Sequence, residues 1–261
     1  MLQRFHTAAA GFGLALTLLA VDAARAAEVR VMSSGGLTAA FESLVPDYER
    51  TSGNTVRLIL GPSMGTSPEA IPNRLAGGES ADVVLMVGSA LGDLAAKGAV
   101  DPASRVDVAD SKIAMAVKAG APMPNIATLD AFKRALLAAT SVAYSDSASG
   151  VYIEREMYAK LGVEAELRPK SRMIVAERVG NVVARGEAEV GFQQVAELLP
   201  IKGITVVGEL PDGAQKVTTF SAGVPTNAKE RDAGRGLIAF LVSAEARPKL
   251  VASGLAPIVK P

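Results

Sequence analysis

From residue 28 onward, apolar and polar positions follow two rhythms in turn. Short runs rich in Val, Ile and Leu predict strands over 28–32, 55–60 and 83–87. Between the first two, Leu37, Phe41, Leu44, Val45 and Tyr48 recur at helical spacing and predict a helix over 37–51. Shorter helical stretches follow at 71–76 and 89–97, the second closed by Gly98. A β-α-β-α-β order predicts a parallel sheet covered on both faces.

The pattern then starts afresh. A strand is predicted at 112–117, a Gly/Pro-rich connection at 120–124, and a helix at 129–138 opened by Thr128. Further strands at 141–144, 172–175 and 190–192 enclose helices after Gly150 and over 176–185. After an extended segment at 204–207, the stretch 217–222 returns towards the first unit, and helices at 229–242 and 245–253 close the chain. The sequence has no internal repeat. The fold class expected is α/β, with two doubly wound lobes and the second inserted in the first. Lobe 1 takes residues 27–110 plus 220–261, and lobe 2 takes 111–219. Extended crossovers near 108–118 and 215–223 join them. In such folds a ligand binds where strand ends and helix N-termini face each other across a crevice.

The first 26 residues follow a different pattern. Arg4 precedes an apolar run over 8–21 that is too short to span a bilayer, and Ala24-Arg25-Ala26 supplies a small-x-small cleavage site. A secretory signal over 1–26 is expected, with export to the periplasm. Its removal changes the available chemistry. The only histidine, His6, leaves with it, and the chain has no cysteine. Cys/His zinc sites, thiol nucleophiles and Ser-His-Asp triads are therefore excluded, and neither metal nor cofactor is expected. Arg4, Arg25 and Asp22 also leave, so a chain with 27 basic and 27 acidic residues becomes slightly acidic. That balance argues against nucleic acid as a partner. A monomer binding a small anion fits it.

Three strand-to-helix junctions carry candidate binding groups. Ser33, Ser34, Gly35 and Gly36 follow the first strand. Ser63, Met64, Gly65 and Thr66, with Ser67, follow the second; lysine and the phosphate-loop spacing are absent there. The third junction is YSDSASG at 144–150, containing Ser145, Asp146, Ser147, Ser149 and Gly150. Hydroxyls and unpaired N–H groups at a helix start hold anions, although serine before a helix is more often a simple cap. Three such junctions in one chain favour an anion between lobes.

The segments VRVMSSGGLTAAFESLVPDYERTSGNTV, GGESADVVLM, RGEAEVGF and FLVSAEARPKLVASGLAP resemble the type II periplasmic solute-binding proteins, in particular the molybdate-binding proteins. The resemblance covers the mature chain and implies their two-lobed fold. It also implies a receptor delivering an oxyanion to an ABC permease as one function. The departures are in the ligand positions. Gly36 stands where molybdate binders usually carry a serine, and Gln193 and Gln194 where a tyrosine is usual. A polycarboxylate would call for arginine forks, and Arg172 and Arg178 are the available cations. Arg172 is placed at the start of a strand facing the cleft. Arg178 could pair with Glu177 or Glu187 instead of binding ligand.

SSGGLTAAFE, GPSMGTSPEAIPNRLA, YSDSASG, KSRMI and GFQQVAELLP are most similar to the branch of that family that includes aconitate isomerase. That resemblance implies an allylic proton shift on a tricarboxylate, which needs a positioned base and stabilisation of a dienolate-like intermediate. With histidine absent, the candidate bases are Asp146, Glu177, Tyr144, Tyr152 or a lysine. Asp146 stands in the anion-binding turn and is the catalytic residue preferred here.

Overall fold

The computed structural model describes residues 26–175 and 177–258. All but the last residue of the expected signal lies outside them.

The first sheet opens with β1 (Glu28–Ser33), α1 (Gly35–Ser52), β2 (Thr55–Leu60), α2 (Ile71–Ala76), β3 (Val83–Val87) and α3 (Gly88–Ala96). β1 lies parallel to both β2 and β3. All five residues of β3, VVLMV, are buried, because helices cover both faces of a central parallel strand. α1 buries Leu37, Phe41, Leu44 and Tyr48, the face its spacing predicts. The Tyr48 hydroxyl then donates to the Ala233 carbonyl at 3.1 Å. Gly53 ends α1 with φ 73, a conformation that glycine adopts without a Cβ penalty. Just before β3, the buried Asp82 carboxylate accepts backbone N–H bonds from Arg30 at 2.8 Å, Lys229 at 2.9 Å and Glu230 at 2.8 Å. One side chain thus ties the start of the chain to its closing helices.

The chain crosses between sheets twice. β4 (Val106–Ser111) belongs to the first sheet and β5 (Ile113–Lys118) to the second, with only Lys112 between them. The second sheet continues with α4 (Leu129–Ala138), β6 (Val142–Ser145) and α5 (Ala148–Tyr152). α5 runs through a π-helical turn, Ile153–Met157, into α6 (Tyr158–Leu161). Then come α7 (Glu164–Leu167), β7 (Ser171–Ile174), α8 (Val179–Arg185), β8 (Val190–Gln194), α9 (Val195–Leu198) and β9 (Ile204–Glu209). β10 (Thr218–Gly223) returns to the first sheet, followed by α10 (Arg231–Leu241), α11 (Arg247–Ala252) and β11 (Ala256–Pro257). The sheet orders are β11-β4-β10-β3-β1-β2 and β7-β6-β8-β5-β9. Each sheet has its own apolar core, the first around Phe41, Leu85 and Leu237 and the second around Phe132, Met157 and Phe192.

The α/β class with two doubly wound sheets is the one the sequence predicts. Three details differ. Each sheet is parallel over three strands only, because the crossing strands β10 and β4, and β5 and β9, add in antiparallel sense. The helix expected from 176 starts at Val179, since Arg178 is extended (φ −71, ψ 131). The helix expected after Gly150 starts at Ala148, placing Gly150 inside its first turn. A Cβ there would run into the Ser145 carbonyl, so only glycine lets this turn close on its own strand.

Candidate functional site

Where the strand ends of the two sheets meet, a cleft of about 420 Å³ opens. From the first sheet it is lined by Ser33 at the end of β1, by Gly35 and Thr38 at the start of α1, and by Leu60 at the end of β2 with Gly61, Pro62, Ser67 and Glu69 after it. From the second it is lined by Ser145, Asp146 and Ser147 after β6, and by Val175, Glu177, Arg178, Gln193 and Glu197. An inner recess of about 30 Å³ adjoins it, shared by Ser34, Gly36, Ser63, Ser147, Gln194 and Glu197 among others.

The recess is polar and incompletely paired. Ser34 Oγ and Gln194 Oε1 are buried with no hydrogen-bond partner among the described residues. Ser34 caps α1 with its backbone alone, so the start of this 18-residue helix keeps a hydroxyl and N–H groups free to meet an anion. Across from it, Ser145 Oγ lies 2.7 Å from Ser147 Oγ and 3.1 Å from Ser149 Oγ.

Glu197 occupies the centre. It is 7 % exposed, on a short helix whose Ala196 packs into the first core and whose Leu198 packs on the second sheet. Gln193 Nε2 donates to Glu197 Oε1 at 2.9 Å, and Gln193 Oε1 accepts the Val179 N–H at 2.9 Å. On the other side the carboxylate abuts Gly35, where any Cβ would clash with it. Burial raises its pKa from 4.5 to about 7. Arg178 and the Gln193 bond oppose that rise, and Asp146 adds to it.

Residues 29–256 match the bacterial extracellular solute-binding proteins. Over 258 residues, 99 % of this chain and 98 % of the relative, the sequence is 46 % identical to an aconitate isomerase from a Pseudomonas species. Among solved structures, the periplasmic molybdate-binding protein of Azotobacter vinelandii superposes with a TM-score of 0.72 at 18 % identity, covering 89 % of this chain and 100 % of that one. The sulfate-binding protein of Mycobacterium tuberculosis gives 0.71 at 16 %, covering 89 % and 87 %. The chain belongs to the bacterial extracellular solute-binding protein family.

Within this solute-binding protein the sequence-derived residues separate into groups. Ser33, Gly35, Ser145, Asp146, Ser147, Arg178 and Gln193 line the main cleft; Ser34, Gly36, Ser63 and Gln194 line the recess. Ser63 Oγ accepts the Val87 N–H at 2.9 Å, and Gln194 Nε2 donates to Thr218 Oγ1 at 3.1 Å. Ser149 and Gly150 stand just behind, shaping the serine turn. Met64 packs against the first core and lines a different groove. Gly65 and Thr66 are exposed beyond the cleft lining; the nearby Ser67 faces the cleft and holds the Glu69 carboxyl below its ordinary value.

Of the two candidate arginines, one lines the cleft and the other does not. Arg172 is on edge strand β7, exposed, with Nη2 3.5 Å from Glu187, and it is not part of the cleft lining. Arg178, extended just before α8, lines the cleft and forms no ion pair among the described residues, because Arg185 takes both Glu177 (2.7 Å) and Glu187 (2.6 Å). Of the candidate bases, Asp146 and Glu177 line the cleft. Tyr144 and Tyr152 do not; burial pushes both phenols up, and Tyr152 donates to the Ala214 carbonyl at 3.0 Å. No lysine lines it. Glu197 was not singled out from the sequence, where AELL reads as ordinary helix. Among the described residues no group of three His, Cys, Asp or Glu could hold a metal ion.

Proposed function

We propose that this protein is a periplasmic aconitate isomerase, interconverting trans- and cis-aconitate in the interlobe cleft. The observation that carries the reading is the 46 % identity to the Pseudomonas aconitate isomerase over nearly the full length of both chains. The cleft is consistent with it. Arg178 offers a guanidinium fork for one substrate carboxylate, and the α1 N-terminus with the serine turn offers neutral donors for the others. The reaction moves one proton: a C–H bond breaks beside one carboxylate, the double bond shifts, and a C–H bond forms two carbons away. It is redox-neutral and needs no co-reactant. The site requirement is a carboxylate base beside fixed donors for the delocalised charge, and carboxyl groups line this cleft.

The second reading is a receptor presenting molybdate or a similar anion to an ABC permease, favoured by the family and by the molybdate- and sulfate-binding neighbours in structure. Against it stands Glu197, a carboxyl group at the mouth of α1 where an oxyanion would bind. Purified protein incubated with trans-aconitate, followed by proton NMR, tests the choice. Accumulation of cis-aconitate to equilibrium is expected. Absence of the cis isomer, with thermal stabilisation by molybdate alone, would establish the receptor instead.

A further inference from the structure

Building on the isomerase reading, we infer that Glu197 is the acid–base group of the cleft, carrying the proton from one substrate carbon to the other, with Gln193 as its positioning residue. Three features of its placement argue for this. Glu197 lines both the main cleft and the inner recess, so a substrate extending across their junction meets its carboxylate. It is buried between Gly35 and Gln193, one lacking the side chain that would displace it and the other held by the Val179 N–H. Its helix packs into the first core through Ala196 and onto the second sheet through Leu198, so the carboxylate belongs to neither wall alone.

Glu177, which also lines the cleft, is taken by Arg185, and Asp146 is partly exposed on a turn whose N–H is bonded to the Ile174 carbonyl. The charged groups acting on Glu197 are Arg178 and Asp146, one on each side of its protonation balance. A buried carboxylate between them is a stronger base than one in water and returns its proton without exchange through bulk solvent. The cycle balances. Glu197 takes the methylene proton as the C–H bond breaks, its electron pair spreads over the allylic carboxylate system, and the new carboxylic acid delivers that proton to the former vinylic carbon.

The test compares wild-type protein with Glu197→Gln and Asp146→Asn. The glutamine variant keeps the volume and a hydrogen-bond acceptor for Gln193. It should bind trans-aconitate within about threefold of wild type by calorimetry while kcat falls about 10²–10⁴-fold. Asp146→Asn should lose far less turnover than Glu197→Gln and should move the acidic limb of the kcat/KM profile to lower pH, because the charge that favours protonated Glu197 is gone. In deuterated water, early wild-type cis-aconitate should carry less than one deuterium per molecule. Near-normal turnover by Glu197→Gln, or loss of turnover in Asp146→Asn alone, would overturn the assignment and leave the isomerase reading standing. An inactive wild type would remove both.

Discussion

Glu177 pairs with Arg185 at 2.7 Å and not with Arg178, its neighbour in sequence. That choice leaves the Arg178 guanidinium at the cleft without an ion pair among the described residues, and on the proposed reading polycarboxylate affinity depends on it. A charge-assisted fork contributes roughly 1.5–3 kcal/mol. Arg178→Ala should therefore weaken trans-aconitate binding by roughly 10- to 100-fold. Arg172→Ala, which removes an exposed contact to Glu187, should leave the affinity unchanged. Calorimetric titration of both variants separates them, and equal losses would count against this placement.

Gly35 and Gly150 should respond differently to the same substitution. At Gly35 the obstacle is the end of the Glu197 side chain, which can swing away. Gly35→Ala should keep stability within about 1 kcal/mol while misplacing the carboxylate and lowering kcat. At Gly150 the obstacle is the Ser145 backbone carbonyl, which cannot move without shifting β6. Gly150→Ala should cost about 3 kcal/mol or more, read as a lowered denaturation midpoint.

The buried Glu197 carboxyl couples folding to pH. Its folded value, about 7, lies above its ordinary 4.5, so the folded chain holds the proton more tightly than the unfolded one. Sign follows directly. The group costs nothing below about pH 4.5, and its destabilisation grows as pH rises to 7, reaching roughly 3 kcal/mol above that. Glu197→Gln should remove this dependence, so the Tm difference between variant and wild type should widen from pH 5 to pH 8. A constant difference would contradict the burial-driven shift. For the isomerase, the same titration predicts that kcat/KM rises with pH and levels off above about 7.

Asp82 tests whether a residue in a family-like segment serves the site or the scaffold. It lies in GGESADVVLM, yet its carboxylate bonds three backbone N–H groups and is not part of the cleft lining. Asp82→Ala should cost roughly 2–4 kcal/mol, or about 5–15 °C in Tm, with ligand affinity of the folded protein intact.

What the sequence made legible follows from how local each signal is. β3 is visible because VVLMV is an unbroken apolar run, and α1 because five apolar residues share a helical face. β4 is not visible, because VDVADS breaks its pattern with Asp107 and Asp110. The structure uses these carboxylates to accept hydroxyl bonds from Ser221 at 2.5 Å and Thr219 at 2.6 Å on β10. The serine turns could be found because hydroxyls and glycines cluster between strand and helix. Arg178 and Glu197 could not be ranked the same way. Whether an arginine is free depends on which carboxylates its neighbours take, and whether a helical glutamate is buried depends on which helix packs over it. Both are decided by contacts across the sheets.

The chain passes between its two sheets through β4–β5 and again between β9 and β10, while α9 sets Ala196 in one core and Leu198 against the other. α9 follows β8 directly, and its Glu197 rests against Gly35 at the start of α1, so the burial of this carboxyl is completed only where the two sheets meet.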